Sequence, residues 1–489
     1  MGVENGYGGP MTKRACIVGA GLGGLAAAVK LRQAGHDVAI FEAADGVGGV
    51  WRANRYPGCA CDVPAVLYQL SFAPNPYWSH HYARQPEILA YADAVADQFG
   101  LRDCLRLNEG VTRAEWDGSG WVVETERGAR ERFDLFVPAV GQLSRPSIPD
   151  LPGLGGFQGR LFHSADWPDG LDLSGRRVGV VGTAASAVQL VPEVAEVAAH
   201  LTVFQRSPNW IIPRNDKHVT EEEHRLMLSR PETAMRLGAM QREMIFENAD
   251  QYFWQAFEWT EAGRAAFLRI ALDHLERQVP DPDLRRRLTP DYPLGCKRVL
   301  FADDFYPALM RGNVELDDAP IVRVAADGVE TEAGFRPLDA LVFATGFETT
   351  DWGWSFDVVG EGGRSLRDAW RNGAEAYLGV LVAGFPNMFV IYGPGTNLGH
   401  NSITYMMERQ VDFMVRALGE GGVVRVPAPV QAAYDRDLQA ALSRTVWADP
   451  ACRSWYKRPD GRITQNWGGS AASYGEALER ADLSALEIA

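Results

Sequence analysis

The chain has 489 residues, more than one ordinary hydrophobic core accommodates, and its length points to about three domains. With 46% hydrophobic and 23% charged residues it has the composition of a soluble globular protein. A net charge of −15 excludes a general binder of nucleic acid or membrane surfaces, which needs a basic face, and means that any anionic cofactor must be held by local basic groups against a repulsive background.

In chain order, Met1 to Pro10 is Gly-rich and polar and reads as a disordered leader without a basic-then-apolar signal. No apolar run reaches the ~18 residues of a membrane span, so a cytoplasmic protein is expected. Ala15-Cys16-Ile17-Val18 reads as a strand that runs into Gly19-Ala20-Gly21-Leu22-Gly23-Gly24. An Ala/Leu-rich helix follows to about Ala34, stopped by Gly35, and a second strand, Val38 to Phe41, ends at Glu42. This is a βαβ unit carrying G-x-G-x-x-G: Gly19 makes the turn, Gly21 lets a pyrophosphate approach the backbone, and Gly24 lets helix and strand pack closely. Glu42 suits an unmodified ribose and repels a 2′-phosphate, so the unit reads as the site of FAD. Asp134 to Gly141 contains the strand that returns to it.

A second unit begins near Arg177, with Val178 to Val181 as its strand and Gly182-Thr183-Ala184-Ala185-Ser186-Ala187 as its turn. The helix is expected from Val188 to Ala198 and the next strand from Leu201 to Phe204, ending at Gln205-Arg206-Ser207. Gly182, Thr183, Ala184 and Ser186 form the expected pyrophosphate contact. A guanidinium at Arg206, with Ser207, fits a 2′-phosphate, which favours NADPH over NADH. Ala184 stands where the middle glycine is usual, and its methyl is expected to loosen or shift the dinucleotide.

From Asp216 to Pro290 the pattern is helical, with a capping box at Thr220–Glu223 and the aromatics Phe246, Tyr252, Phe253, Trp254, Phe257 and Trp259, read as core before substrate pocket. Asp339 to Phe343 is a buried strand entering an Ala-Thr-Gly turn. Met407, Val411, Met414, Val415 and Leu418 mark a helix that begins after the polar turn Asn397 to Ser402, with its N-terminus available to an electron-rich ligand edge. The six cysteines (16, 59, 61, 104, 296, 452) lie scattered, and the C-x-C of Cys59 and Cys61 fits neither zinc nor a redox dithiol, so neither a disulfide framework nor a metal site is expected. The fold class is α/β: two Rossmann-like dinucleotide-binding domains, FAD at 11–150 with 351–489 and NADPH at 151–215 with 291–350, and a helical insertion at 216–290.

Between the two units lies Phe157-Gln158-Gly159-Arg160-Leu161-Phe162-His163-Ser164-Ala165-Asp166-Trp167, an F-x-G-x-x-x-H-x-x-x-W pattern. Gly48-Gly49-Val50-Trp51, Arg55-Tyr56-Pro57-Gly58 and Cys61-Asp62 precede it. Gly295-Cys296-Lys297-Arg298, Pro386-Asn387-Met388-Phe389, Gly393-Pro394 and Asn466-Trp467-Gly468-Gly469 follow. In this order, over most of the chain, the segments resemble the type I Baeyer–Villiger monooxygenases, of the class B flavoprotein monooxygenase family. The resemblance implies an enzyme that uses NADPH and O2 to insert one oxygen atom next to a ketone carbonyl through a flavin C4a-peroxide, giving an ester or lactone. It makes Arg298 the group that stabilises negative charge beside the flavin and Asp62 the partner that orients it. Trp51 falls on the FAD side, and Lys297 joins Arg206 at the 2′-phosphate. The Phe157–Trp167 segment becomes a hinge with His163 as its fixed point. Trp455, Tyr456 and Trp467 border substrate access or belong to the core. Two alternatives stay open: a flavin monooxygenase oxidising sulfur or nitrogen, which has no need of the Asp62/Arg298 pair, and an NADPH oxidase releasing hydrogen peroxide. No motif names the ketone or the oligomeric state.

Overall fold

The computed structural model describes residues 12–258, 260–349, 352 and 354–489. The expected leader and Trp259 lie outside them. Strands Leu105–Arg106, Asp37–Phe41, Arg14–Val18 and Leu135–Pro138 form one parallel sheet in that spatial order. Its central strand is buried from Ala15 to Val18, as a strand covered on both faces must be. Alternate residues serve different layers. Ala15 and Ile17 join a core with the helices Leu22–Gln33 and Ile403–Gly419, while Cys16 and Val18 face an aromatic core containing Trp116, Trp121 and Phe133. That second core is roofed by the antiparallel strands Val111–Trp116, Trp121–Thr125 and Arg130–Phe133, extended by Asp357–Val359.

Nine of the twelve residues in Leu22–Gln33 are buried. Small side chains make this possible, and Gly24 is the tightest point: a Cβ there would collide with the carbonyl oxygen of Gly19.

The second parallel sheet has the order Val314–Asp317, His200–Phe204, Arg177–Val181, Ala340–Phe343, Arg160–His163. Its helix, Ala185–Val197, begins three residues before the expected start. Ala185 is exposed and Ser186 half-buried, and neither extends the apolar periodicity, so periodicity alone marks the helix late. Within Phe157–Trp167, expected to act as a hinge between the units, Arg160–His163 is the edge strand of this sheet, with His163 opposite Phe343. His163 is buried, and its Nδ1 accepts from the Ala165 amide at 3.1 Å. Phe162 and Trp167 meet edge to face. Backbone pairing, which the side-chain pattern does not reveal, fixes this segment.

The insertion comprises helices Glu221–Ser229, Pro231–Asn248, Glu261–Gln278 and Pro282–Leu288, and Thr220 and Glu223 close the expected capping box. Phe257 is buried, Phe246 and Trp254 are half-buried, and Tyr252 is exposed, so the core reading fails at Tyr252. Phe257 packs with Trp447 and Tyr456 of the C-terminal segment in a further core. Cys296 and Cys452, 156 positions apart, form a disulfide in that core, against the expectation of scattered thiols. Such a pairing is a product of tertiary proximity and leaves no trace in local spacing. Among the described residues there is no cluster that could hold a metal and no helix long and apolar enough to cross a membrane.

Gly24→Ala is expected to destabilise the protein by about 1–3 kcal/mol, because backbone must move to admit the methyl. Thermal denaturation against the unmodified chain measures this.

Candidate functional site

The first turn is a cradle made of backbone. Gly19 has φ +102°, and a Cβ there would lie 2.7 Å from the Ala139 carbonyl oxygen. Gly21 faces Gly49, whose φ is +55°, and a Cβ on Gly21 would meet only the Gly49 Cα, at 3.7 Å. The helix that starts at Leu22 has no side-chain cap, so its first amides are free to receive an anion. At the end of the second strand the Glu42 carboxylate accepts from the Ala20 amide at 2.7 Å and the Ala44 amide at 2.8 Å. These bonds fix its direction and leave lone pairs for ribose hydroxyls. Trp51 sits on the short helix Val50–Ala53, and its indole donates to the Tyr68 hydroxyl at 3.1 Å. The set fits a dinucleotide with an unmodified ribose.

The second turn is built from different parts. Gly182 has φ +112° where the chain passes the Ala344 carbonyl. The Thr183 hydroxyl donates to the Ser207 carbonyl at 3.0 Å, and Asn209 donates to the Thr183 carbonyl at 2.9 Å. Ala184 is extended, with φ −87°, and exposed, so its methyl is unstrained and adds bulk on the open side of the turn. Ser186 lies in the first turn of the helix. Arg206 and Ser207 meet Lys297 from 90 positions away, whose ammonium donates to the Ser207 hydroxyl at 3.0 Å and lies 4.3 Å from the centre of the Tyr292 ring. Burial, and then the charge of Arg206, hold the Lys297 amine below the ordinary lysine value. Two cations at one strand end repel each other until an anion joins them. This arrangement fits a phosphate.

The third element is an ion pair. Arg298 Nε and Nη2 donate to the two carboxylate oxygens of Asp62 at 2.7 and 2.6 Å, across 236 positions of sequence. The side chains are 33% and 21% exposed, so the pair is neither dry nor fully solvated. Burial pushes the Asp62 carboxyl up, but the charge and hydrogen bonds of Arg298 outweigh it and hold the group below the ordinary carboxylate value. Arg298 shows the mirror effect: burial opposes its charge, and Asp62 more than restores it. Asp62 lies in a loop held by the Cys61 amide on the Ala83 carbonyl and the Ala65 amide on the His81 carbonyl, at 2.9 and 2.7 Å. Arg298 leads into the strand Leu300–Phe301, which pairs in parallel with Ile211–Ile212.

Tyr392 and Tyr456 stand within the electrostatic reach of Arg298. Burial pushes the Tyr456 hydroxyl up to about 12, with Arg298 pulling the other way. The Tyr392 hydroxyl donates to Asn397 Oδ1 at 2.7 Å, and Asn397 in turn donates to Asn466 Oδ1 at 2.8 Å. Sequence reading missed Tyr392. Its only local signal is a left-handed backbone (φ +61°) beside Gly393-Pro394. Of the aromatics left open, Tyr456 is buried beside the ion pair, Trp455 is 36% exposed, and Trp467 packs on Tyr474.

An NAD(P)-binding Rossmann-like domain model matches residues 17–85. A Baeyer–Villiger monooxygenase of Streptomyces coelicolor is 40% identical over 97% of this chain and 92% of its own length. One from Pseudomonas aeruginosa is 40% identical over 98% and 92%. Among solved structures, steroid monooxygenase bound to NADP is 32% identical with a TM-score of 0.85, covering 98% of this chain and 99% of its own. OTEMO in complex with FAD and NADP is 27% identical with a TM-score of 0.88 and the same coverage.

Because the Asp62 carboxyl is held below its ordinary value, the pair stabilises the fold above the ordinary carboxylate range and ceases to as pH falls through the depressed value. Asp62→Asn is therefore expected to cost about 1–2 kcal/mol at neutral pH, after allowance for solvent screening, with the deficit shrinking in acid. Denaturant melts of both proteins at the two pH values measure it.

Proposed function

The chain belongs to the Baeyer–Villiger monooxygenases, and on that premise we propose which of its residues hold each cofactor and which carry the oxygen transfer. It is an FAD-containing, NADPH-dependent enzyme that uses O2 to insert one oxygen atom beside a ketone carbonyl, giving an ester or lactone. Residues 11–150 and 351–489 bind FAD, 151–215 and 291–350 bind NADPH, and 216–290 form the helical insertion. Gly19, Gly21 and Gly24 shape the FAD cradle, with Glu42 on the ribose and Trp51 beside it. Gly182, Thr183, Ala184 and Ser186 receive NADPH, and Arg206, Ser207 and Lys297 take its 2′-phosphate. The substrate is a small-molecule ketone, nucleic acid is not a partner, and we place the reaction in the cytoplasm, where NADPH is regenerated.

The flavin, when bound, supplies the activation of dioxygen; the protein supplies charge and position. Attack on a ketone carbonyl moves negative charge onto its oxygen. Arg298 meets that charge with a guanidinium that stays protonated throughout. Asp62 grips two of its nitrogens, which leaves the remaining N–H groups in a fixed direction and spares the reaction the cost of reorienting them. Tyr456, buried, and Tyr392, half-buried, both protonated at neutral pH, stand near the pair without adding a competing charge. The two-point contact of Asp62 with Arg298 is the observation that supports this reading most strongly. A sulfur- or nitrogen-oxidising enzyme has no use for it.

Arg298→Ala is expected to lower ketone oxygenation by about 100-fold or more while NADPH oxidation continues with release of hydrogen peroxide. Ester formation at the unmodified rate would refute the assignment, and product analysis beside NADPH consumption decides between them. A second expectation concerns Lys297. Its amine is held low, so it loses its proton below the ordinary lysine range. NADPH affinity should fall as pH rises through that region. Lys297→Ala should raise KM for NADPH about 10-fold and remove this pH dependence.

A further inference from the structure

Arg214 has no part in the cofactor and substrate contacts described above, yet it reaches the same dipeptide as Arg298. It lies two residues beyond the strand Ile211–Ile212, and Arg298 lies two residues before that strand's parallel partner, Leu300–Phe301. The two arginines thus lie at opposite ends of one small parallel sheet, and their side chains converge on Cys61-Asp62. Arg298 takes the Asp62 carboxylate, and Arg214 Nη2 donates to the carbonyl of Cys61 at 3.1 Å. The Arg214 guanidinium also lies 5.2 Å from the centre of the Tyr82 ring.

Its backbone is anchored. The amides of Arg214 and Asn215 donate to the two carboxylate oxygens of Asp303, at 3.0 and 2.8 Å. Asn215 then takes a left-handed turn, with φ +49°, and the chain runs on along residues 79–82. There the Tyr82 amide donates to the Asp216 side chain at 3.1 Å, the His81 amide to the Lys217 carbonyl at 2.9 Å, and the Val219 amide to the Ser79 carbonyl at 2.8 Å. Residues 81 and 83 also hold the amides of Ala65 and Cys61. The start of the helical insertion is therefore laced to the strip that supports the Asp62 loop.

The Cys61 carbonyl belongs to the peptide unit whose nitrogen is that of Asp62. That unit is planar, so holding its oxygen fixes the plane from which the Asp62 side chain departs. A two-point carboxylate–guanidinium contact tolerates little rotation. We propose that Arg214 is a positioning residue: through the Cys61 carbonyl it sets the Asp62 carboxylate for its paired contact with Arg298, so that seating of residues 211–219 and assembly of the charge pair occur together. The inference rests on the assignment of Asp62 and Arg298 given above.

The test compares Arg214→Ala and Arg214→Lys holoenzymes with Arg298→Ala. Three readouts are taken: ketone oxygenation per NADPH consumed, KM for NADPH, and amide hydrogen exchange across residues 59–66 with and without cofactors. Arg214→Ala is expected to lose about 10- to 100-fold in kcat for oxygenation, as misplacement of a catalytic group does. KM for NADPH should stay within about twofold. Exchange should quicken at residues 59–66 and not elsewhere, and Arg214→Lys should recover part of both effects. Unmodified coupling and exchange in a folded Arg214→Ala would overturn the proposal. So would uniform loss of protection across the chain, or a raised KM with kcat intact. If the alanine variant does not fold, Arg214→Gln, which keeps a donor without the charge, takes its place under the same criteria. Ester formation retained in Arg298→Ala would instead remove the premise, whatever Arg214 does.

Discussion

The molecule is organised around one ion pair. Asp62 stands in a loop and Arg298 comes 236 positions later, just before a separate two-stranded sheet, so their paired contact exists only in the folded chain. Partial burial of two charges is costly unless each finds a partner with good geometry. Here each charge offsets the burial of the other, and the arrangement leaves a fixed cation in a protein whose net charge is −15. Such a cation is what a reaction that builds negative charge on a ketone oxygen requires.

The rest of the fold serves that placement. The first sheet brings Glu42 and the glycine turn to one end. The second sheet sets Arg206 and Ser207 at a strand end, where Lys297, the neighbour of Arg298, meets them. On the proposed assignment, one dipeptide, Lys297-Arg298, serves two anionic tasks, a nucleotide phosphate and the developing charge of the substrate. The disulfide from Cys296, the preceding residue, to Cys452 ties this segment to the C-terminal stretch that contains Tyr456.

What the sequence disclosed follows from the range of each interaction. Glycine turns, strand ends and the capping box of Thr220 and Glu223 are set by neighbours within a few residues, and they stand where spacing places them. Asp62 and Arg298 became legible through the ordered resemblance of several segments and not through any local pattern. The structure supplied what depends on distant partners. The Phe157–Trp167 motif contributes the edge strand Arg160–His163 because Ala340–Phe343 pairs with it, and Cys296 meets Cys452 because two remote loops share a core. Arg214 carries no motif at all; its reach to the Cys61 carbonyl, next to the carboxylate that Arg298 holds, is a product of tertiary folding. Tyr252 shows the opposite failure, an aromatic in a helical run that remains in solvent.

The central claim is that this chain transfers oxygen to ketone carbonyls with Arg298 as the charge-stabilising group. It is tested most directly by turnover of cyclic, linear and aryl ketones under isotopically labelled dioxygen with NADPH, followed by mass analysis of the products. The account predicts an ester or lactone carrying one labelled oxygen atom from at least one ketone class. Label found only in hydrogen peroxide, or only in sulfoxides and N-oxides when those substrates are offered, would contradict it.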